Sequence, residues 1–117
     1  RSASKLDILK RSLGPLGANL PTLMADAGDE AQLRTLCEQT RVVVSTVGPY
    51  ALYGEPLVKV CAQQGTDYCD LTGEVQWIKR MQDKYESAAK QSVARIVHCC
   101  GFDSVPSDRG VYVIQQH

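Results

Sequence analysis

The segment VVVSTVGPY, residues 42–50, constrains the fold of this chain more than any other. Three β-branched valines in a row stiffen an extended backbone, and the lack of polar alternation predicts a strand covered on both faces, as in a parallel sheet lying between helices. Gly48 and Pro49 stop the run. In open α/β sheets ligands sit just outside the carboxyl ends of the strands, so Thr46, Val47, Gly48, Pro49 and Tyr50 are candidate lining residues. The segments TDYCDLTGE (66–74) and RIVHCCGFDSVPSD (95–108) repeat the design, an apolar run entering a turn rich in small and acidic residues.

Helical spacing fills the intervals. Leu6, Leu9 and Leu13 follow Ser2 or Ser4 as N-cap, and Gly14, Pro15 and Gly17 end that helix. A short strand is expected at 21–25, and Asp29 with Gln32 resembles a capping box opening a helix through Leu33, Leu36 and Cys37. After a strand at 42–47, a helix should start near Gly54 or Glu55, with Pro56 in its first turn, Leu57, Val58, Cys61 and Ala62 toward the sheet, and Gly65 at its end. A strand at 68–71 precedes a long helix whose inner face is Val75, Ile78, Met81, Tyr85, Ala88 and Ala89, with Trp77 at the flank. A last strand at 95–99 leads through Ser104 and Pro106 to a terminal helix containing Val111 and Ile114.

Four strands alternating with helices predict βαβ units, right-handed crossovers and an α/β, Rossmann-like doubly wound parallel sheet. No GxGxxG turn follows any strand, although that turn ordinarily holds a dinucleotide's pyrophosphate. The expectation is therefore an incomplete sheet, lacking its first strand, glycine-rich loop and second strand. On the doubly wound order, 21–25 would be the third strand and 42–47 the fourth, with two absent strands between them. The valine strand, left alone, would then expose an unpaired edge and uncovered apolar surface, inviting rearrangement, self-association or aggregation, and residues 1–117 alone would bind no dinucleotide and catalyse nothing.

Charge and cysteines narrow the classes. The chain of 117 residues has 13 basic and 13 acidic side chains without blocks, a net charge of zero that offers nucleic acid no positive field. No apolar run approaches the roughly 20 residues that span a bilayer, and a cytoplasmic protein is expected, with a membrane or lipid surface as an alternative place of work. The five cysteines, Cys37, Cys61, Cys69, Cys99 and Cys100, lie in apolar runs and read as buried thiols in a reducing compartment. His98, Cys99 and Cys100 would alternate faces in an extended strand and could not share one metal ion, so no metal is expected.

Taken in order, VGPYALYGEPLVKVCAQQGTDYCDLTGE and CGFDSVPSDRG resemble the saccharopine dehydrogenase-like oxidoreductases, particularly the branch of trans-acting enoyl reductases. The resemblance spans nearly the whole chain. It implies the amino-terminal Rossmann domain of a nicotinamide-dependent enzyme using NADP, or alternatively NAD, with the substrate domain beyond residue 117. Arg1 and Ser2 resemble the end of a glycine-arginine-serine turn, in which the guanidinium pairs with a 2′-phosphate; the plain alternative is a surface arginine. Asp26 matches a position facing the adenine, or else is a turn or cap aspartate. Thr46, Val47, Gly48, Pro49 and Tyr50 match the turn beneath the cofactor ribose and nicotinamide, with Tyr50 read as an exposed aromatic at the crevice.

On the substrate side stand Asp70, Thr72, Gly73, Phe102 and Asp103, with Tyr50 and Asp103 the only catalytic candidates. Each has a structural alternative: Thr72 as N-cap, Glu74 at the positive end of the following helix, Asp103 as cap before Pro106. Arg109 departs from the apolar residue usual at its position in the family. Enoyl reduction is the implied chemistry. The absence of an arginine or lysine cluster near the strand ends favours an apolar or lipid-like acyl substrate over the imine of saccharopine-type reduction. A non-catalytic nucleotide-binding scaffold, working at a protein or lipid surface, is a rival from another class. A homo-oligomer is compatible with these readings.

Overall fold

The computed structural model describes residues 2–116. Its centre is a three-stranded parallel sheet, β1 (Val42–Ser45), β2 (Asp67–Asp70) and β3 (Ile96–Val97), in the order β1-β2-β3. Val42 pairs with Asp67 and Ser45 with Asp70 across the first pair, and Tyr68 pairs with Ile96 across the second. The α/β class and the parallel crossovers are as expected.

Before the sheet come α1 (Ala3–Ser12), the short α2 (Pro15–Ala18) and α3 (Glu30–Glu38). The Ser2 hydroxyl caps α1 by accepting from the Lys5 amide, and Gly17 is buried against the backbone of Lys10 where α1 and α2 fold together. Asp29 caps α3 through the amides of Ala31 and Gln32. The Gln32 side chain reaches back as foreseen, but it receives the Asp26 amide at 2.9 Å rather than that of Asp29.

Residues 21–25 are not a strand. They form no ladder among the described residues, and of the five only Ala25 packs against the core. The outer edge of β1 is consequently unpaired among the described residues.

Between β1 and β2 lie α4 (Tyr50–Tyr53) and α5 (Glu55–Gln64), the latter closed by Gly65 at φ 78° as a left-handed cap. The single turn α4 is not apparent in the sequence pattern. Between β2 and β3 runs α6 (Val75–Ser92), and α7 (Val105–Gln115) follows β3. The core is Leu33, Cys37, Tyr50, Val58, Val60, Cys61, Tyr68, Trp77 and Met81, where α3, α5 and α6 cover one face of the sheet. Val60 is buried as well as Val58 and Cys61, because α5 has a helix on either side.

Among the described residues the valine strand is covered on one face, not both, and its other face is the uncovered apolar surface expected of this stretch by itself. Val43, Ser45, Tyr68, Asp70 and Ile96 share the helix side, whereas Val42, Val44 and Val97 on the other side are 51%, 68% and 51% exposed. None of the helices α3, α5 and α6 crosses to that face, and α7 has no buried residue. A radius of gyration of 16.2 Å, against about 13 Å for a compact domain of this length, reflects the outlying α1, α2 and α7.

Candidate functional site

Three turns meet at the carboxyl ends of the strands: 46–49 after β1, 71–74 after β2 and 98–104 after β3. What joins them is a pair of carboxylates. Asp70, the last residue of β2, is 1% exposed and accepts four hydrogen bonds. Its Oδ2 takes the Tyr68 hydroxyl at 2.9 Å and His98 Nδ1 at 2.7 Å; its Oδ1 takes the amides of Thr72 at 3.1 Å and Cys99 at 3.2 Å. The Asp70 carbonyl also receives the Cys100 amide at 2.7 Å.

Burial alone would raise the pKa of the Asp70 carboxyl, but the His98, Thr72 and Tyr68 bonds outweigh it and hold the group below the usual aspartate range. Burial, and then the adjacent Asp70 charge, pushes the Tyr68 hydroxyl well above its ordinary value. An ionised carboxylate only accepts, so His98 carries its proton on Nδ1. The His98 ring stands edge-on to Trp77 and Tyr68, with centroids 5.1 and 5.9 Å away, and its Nε2 is buried with no hydrogen-bond partner among the described residues.

Glu74 performs the second connection. One carboxylate oxygen accepts the Tyr50 amide at 2.7 Å and the other the Ala51 amide at 2.8 Å, while the Thr72 hydroxyl accepts the Glu74 amide at 3.1 Å. The sequence placed Glu74 at the positive end of the long helix; its carboxylate instead serves the first turn of α4. Thr72 is not the N-cap of α6 as expected: that position is Glu74, which has no side-chain cap bond among the described residues, and the buried Thr72 hydroxyl accepts the amide of that residue.

Tyr50 is not an exposed aromatic. It is 5% exposed, lies 5.4 Å from the Trp77 ring between centroids, and gives its hydroxyl proton to the Ser45 carbonyl at 3.0 Å. The exposed part of the turn is Thr46, Val47, Gly48 and Pro49, with a cis bond between the last two. On the turns after β2 and β3, Gly73 is exposed, Leu71 is 43% exposed and Phe102 88%. Asp103 is exposed and makes no side-chain hydrogen bond among the described residues, so its expected capping of α7 is not formed. Asp26 is a turn residue: its Oδ1 accepts the Gly28 amide at 2.9 Å, and its carbonyl the Asp29 amide. Ser2 caps α1, and Arg1 lies outside the described residues.

Sequence reasoning passed over His98. β3 ends at Val97 and Cys99 has φ 62°, so residues 98–100 are not the extended strand from which alternating faces were argued. Register could have found the histidine, since His98 falls beside Asp70 one step past the Cys69–Val97 pair. The cysteines also divide: Cys37 and Cys61 are buried with their sulfurs 3.6 Å apart and thiol pKa values raised by burial, whereas Cys100 is exposed.

The site fits a nucleotide at the arch 46–49 in one specific respect. A Cβ built on Gly48 would meet only the Tyr50 ring at 3.6 and 3.7 Å and the Tyr50 amide nitrogen at 4.0 Å, which is ordinary contact. Gly73 would meet nothing within 4 Å. By contrast, Gly54 is held to glycine by Trp77 at 2.7 Å and Gly101 by Leu71 at 2.8 Å. At the arch the missing side chain leaves the backbone open to a ligand.

A model of the saccharopine dehydrogenase NADP binding domain matches residues 1–97. The chain belongs to that family. The cofactor of this saccharopine dehydrogenase-type domain is NADP, and its fold class is the one the sheet displays. The chain is 46% identical over 112 residues to a trans-acting enoyl reductase of Mycobacterium ulcerans, and equally to one of Mycobacterium tuberculosis, covering 96% of this chain and 27% of each relative. A putative trans-acting enoyl reductase of Mycobacterium tuberculosis is 46% identical over 114 residues, covering 97% of the chain and 27% of that protein. The chain thus spans about a quarter of the length of these relatives. No solved structure matches it.

Proposed function

We propose that the complete polypeptide carrying this domain is an NADPH-dependent oxidoreductase that reduces the double bond of an apolar enoyl substrate, with the arch 46–49 lining the ribose and nicotinamide. The observation that carries this reading is Gly48, exposed at the end of β1 where nothing in the fold demands a glycine. Bound there, the dinucleotide supplies the hydride. The chain's own residues position and shield. The backbone from Thr46 to Pro49 offers close approach, and the three turns at this end of the sheet carry exposed apolar side chains in Val47, Leu71 and Phe102.

Asp70 is walled in by four donors, so it orders the turns rather than handing a proton to substrate. Asp103 is the carboxylate open to solvent and remains the candidate for substrate contact. Two considerations support an enoyl over an imine substrate. The relatives carry the enoyl reductase name, and the turns at 46–49, 71–74 and 98–104 contain no arginine or lysine to receive several carboxylates.

Fluorescence titration of the complete polypeptide should show NADPH binding more tightly than NADH. Gly48→Val should weaken NADPH by about tenfold or more, because its side chain enters the approach of the ligand. Unchanged affinity would remove the arch from the site. Turnover of an enoyl thioester, set against an amino acid with a keto acid, decides the substrate class.

A further inference from the structure

We propose that Glu74 is a positioning residue for the dinucleotide, acting through the arch 46–49 without touching the ligand; this rests on the reading of that arch as cofactor-lining. The arch is suspended between two anchors. At its start, Ser45 ends β1 and accepts the Tyr50 hydroxyl through its carbonyl at 3.0 Å. At its end, the N-cap of α4 is Pro49, which has no side-chain acceptor to offer the helix amides. A helix start left this way has unsatisfied donors. Glu74, 24 residues further along the chain, fills the need, with one oxygen on the Tyr50 amide at 2.7 Å and the other on the Ala51 amide at 2.8 Å.

Glu74 is in turn held from its own side. The Thr72 hydroxyl accepts its amide, and its carbonyl receives the Ile78 amide at 3.0 Å in the first turn of α6. Thr72 is fixed through its amide by Asp70. The position of Tyr50, and with it the closing end of the exposed arch, is therefore referred to α6 and β2 by a carboxylate with both oxygens engaged. Charge-assisted bonds of this kind are short and strong, and no neutral side chain offers two acceptor oxygens in the same place. In Glu74→Gln one amide N–H faces an NH2 donor, so the end of the arch must shift or lose a bond.

The test uses the complete polypeptide. Glu74→Gln should raise the Kd and the KM for NADPH by about tenfold, the size of one charge-assisted hydrogen bond, while kcat at saturating NADPH stays within about twofold. Glu74→Asp, which keeps the charge but withdraws it by one methylene, should give a smaller loss of the same kind. It also keeps the test decisive should the glutamine variant not fold. Ser92→Ala, which removes the hydroxyl bonded to the Ala62 carbonyl far from the arch, is the control for stability alone and should lower the melting temperature without moving the Kd. Wild-type NADPH affinity in the Glu74 variants, in a protein where Gly48→Val binds poorly, overturns the positioning role and leaves the site standing. Unchanged affinity in both Gly48→Val and Glu74→Gln removes the arch from the site altogether.

Discussion

The two faces of the sheet are made from the same three strands and have opposite fates. On one face Ser45, Tyr68 and Asp70 are at most 4% exposed beneath α5 and α6; on the other, Val42, Val44 and Val97 are at least half exposed. The buried face is thus the more polar in its side chains, and the bare face the more apolar. Polar groups are buried in folded proteins when every donor and acceptor is answered, which the Asp70 network achieves for its carboxylate with four donors. Apolar residues are buried when something covers them, and here the covering helices all lie on one side. Burial in this sheet follows the placement of helices rather than the hydrophobicity of the strand residue.

That contrast is sharpest at Asp70. Asp70→Ala strands the Tyr68 hydroxyl, His98 Nδ1 and two amides, and should destabilise the chain by about 3–5 kcal/mol in urea unfolding, or prevent folding. A loss below about 1 kcal/mol would mean that the network is not what holds the covered face. The same carboxylate sets an acid limit. Its folded-state pKa is lowered, so its contribution is present above the ordinary aspartate value of about 3.9 and is lost as pH falls through the lower folded value. Stability measured against pH should therefore drop in that acid range for the wild type, and Asp70→Asn should lack this component.

The smallest effects compare neighbours on one strand. Val43 packs toward the core and Val44 points to the bare face. Val43→Ala should cost about 1–2 kcal/mol and Val44→Ala less than about 0.5 kcal/mol. Equal costs in this 117-residue chain would show that the second face is covered in solution, by self-association if the Val44 cost rises with protein concentration.

The parts of the fold governed by local periodicity were readable, and those set by partners were not. The helix after the valine strand starts at Glu55 and stops at Gly65 as its proline and glycine announce. In α6 the order of Val75 and Trp77 was reversed: Val75 is 69% exposed and Trp77 is 1% exposed. Spacing alone made both admissible, and the choice falls to a tertiary notch, since Gly54 leaves room for the Trp77 ring. Residues 21–25 include an apolar run but have, among the described residues, no neighbour with which to form a ladder. At the site, the turns were legible as turns because strands running into small residues have few other outcomes. The direction of Tyr50 was not, because it depends on the Ser45 carbonyl and the Trp77 ring. Asp70 and Glu74 were visible as acidic residues at the crevice, yet their roles are decided by amides 23 to 29 residues away.

The five residues from Asp70 to Glu74 have one more consequence, for the lengths that evolution or an engineer can allow. Surface connections ordinarily accept added residues at little cost. This one has its first residue bonded to the turn after β3 and its last to the first turn of α4, so its span works as a caliper between two other segments. One inserted residue would let either Asp70 or Glu74 keep its partners, but not both. The connection that looks freest to vary is therefore the one whose length is set most tightly, while α7, regular and helical, has no buried residue to fix its place.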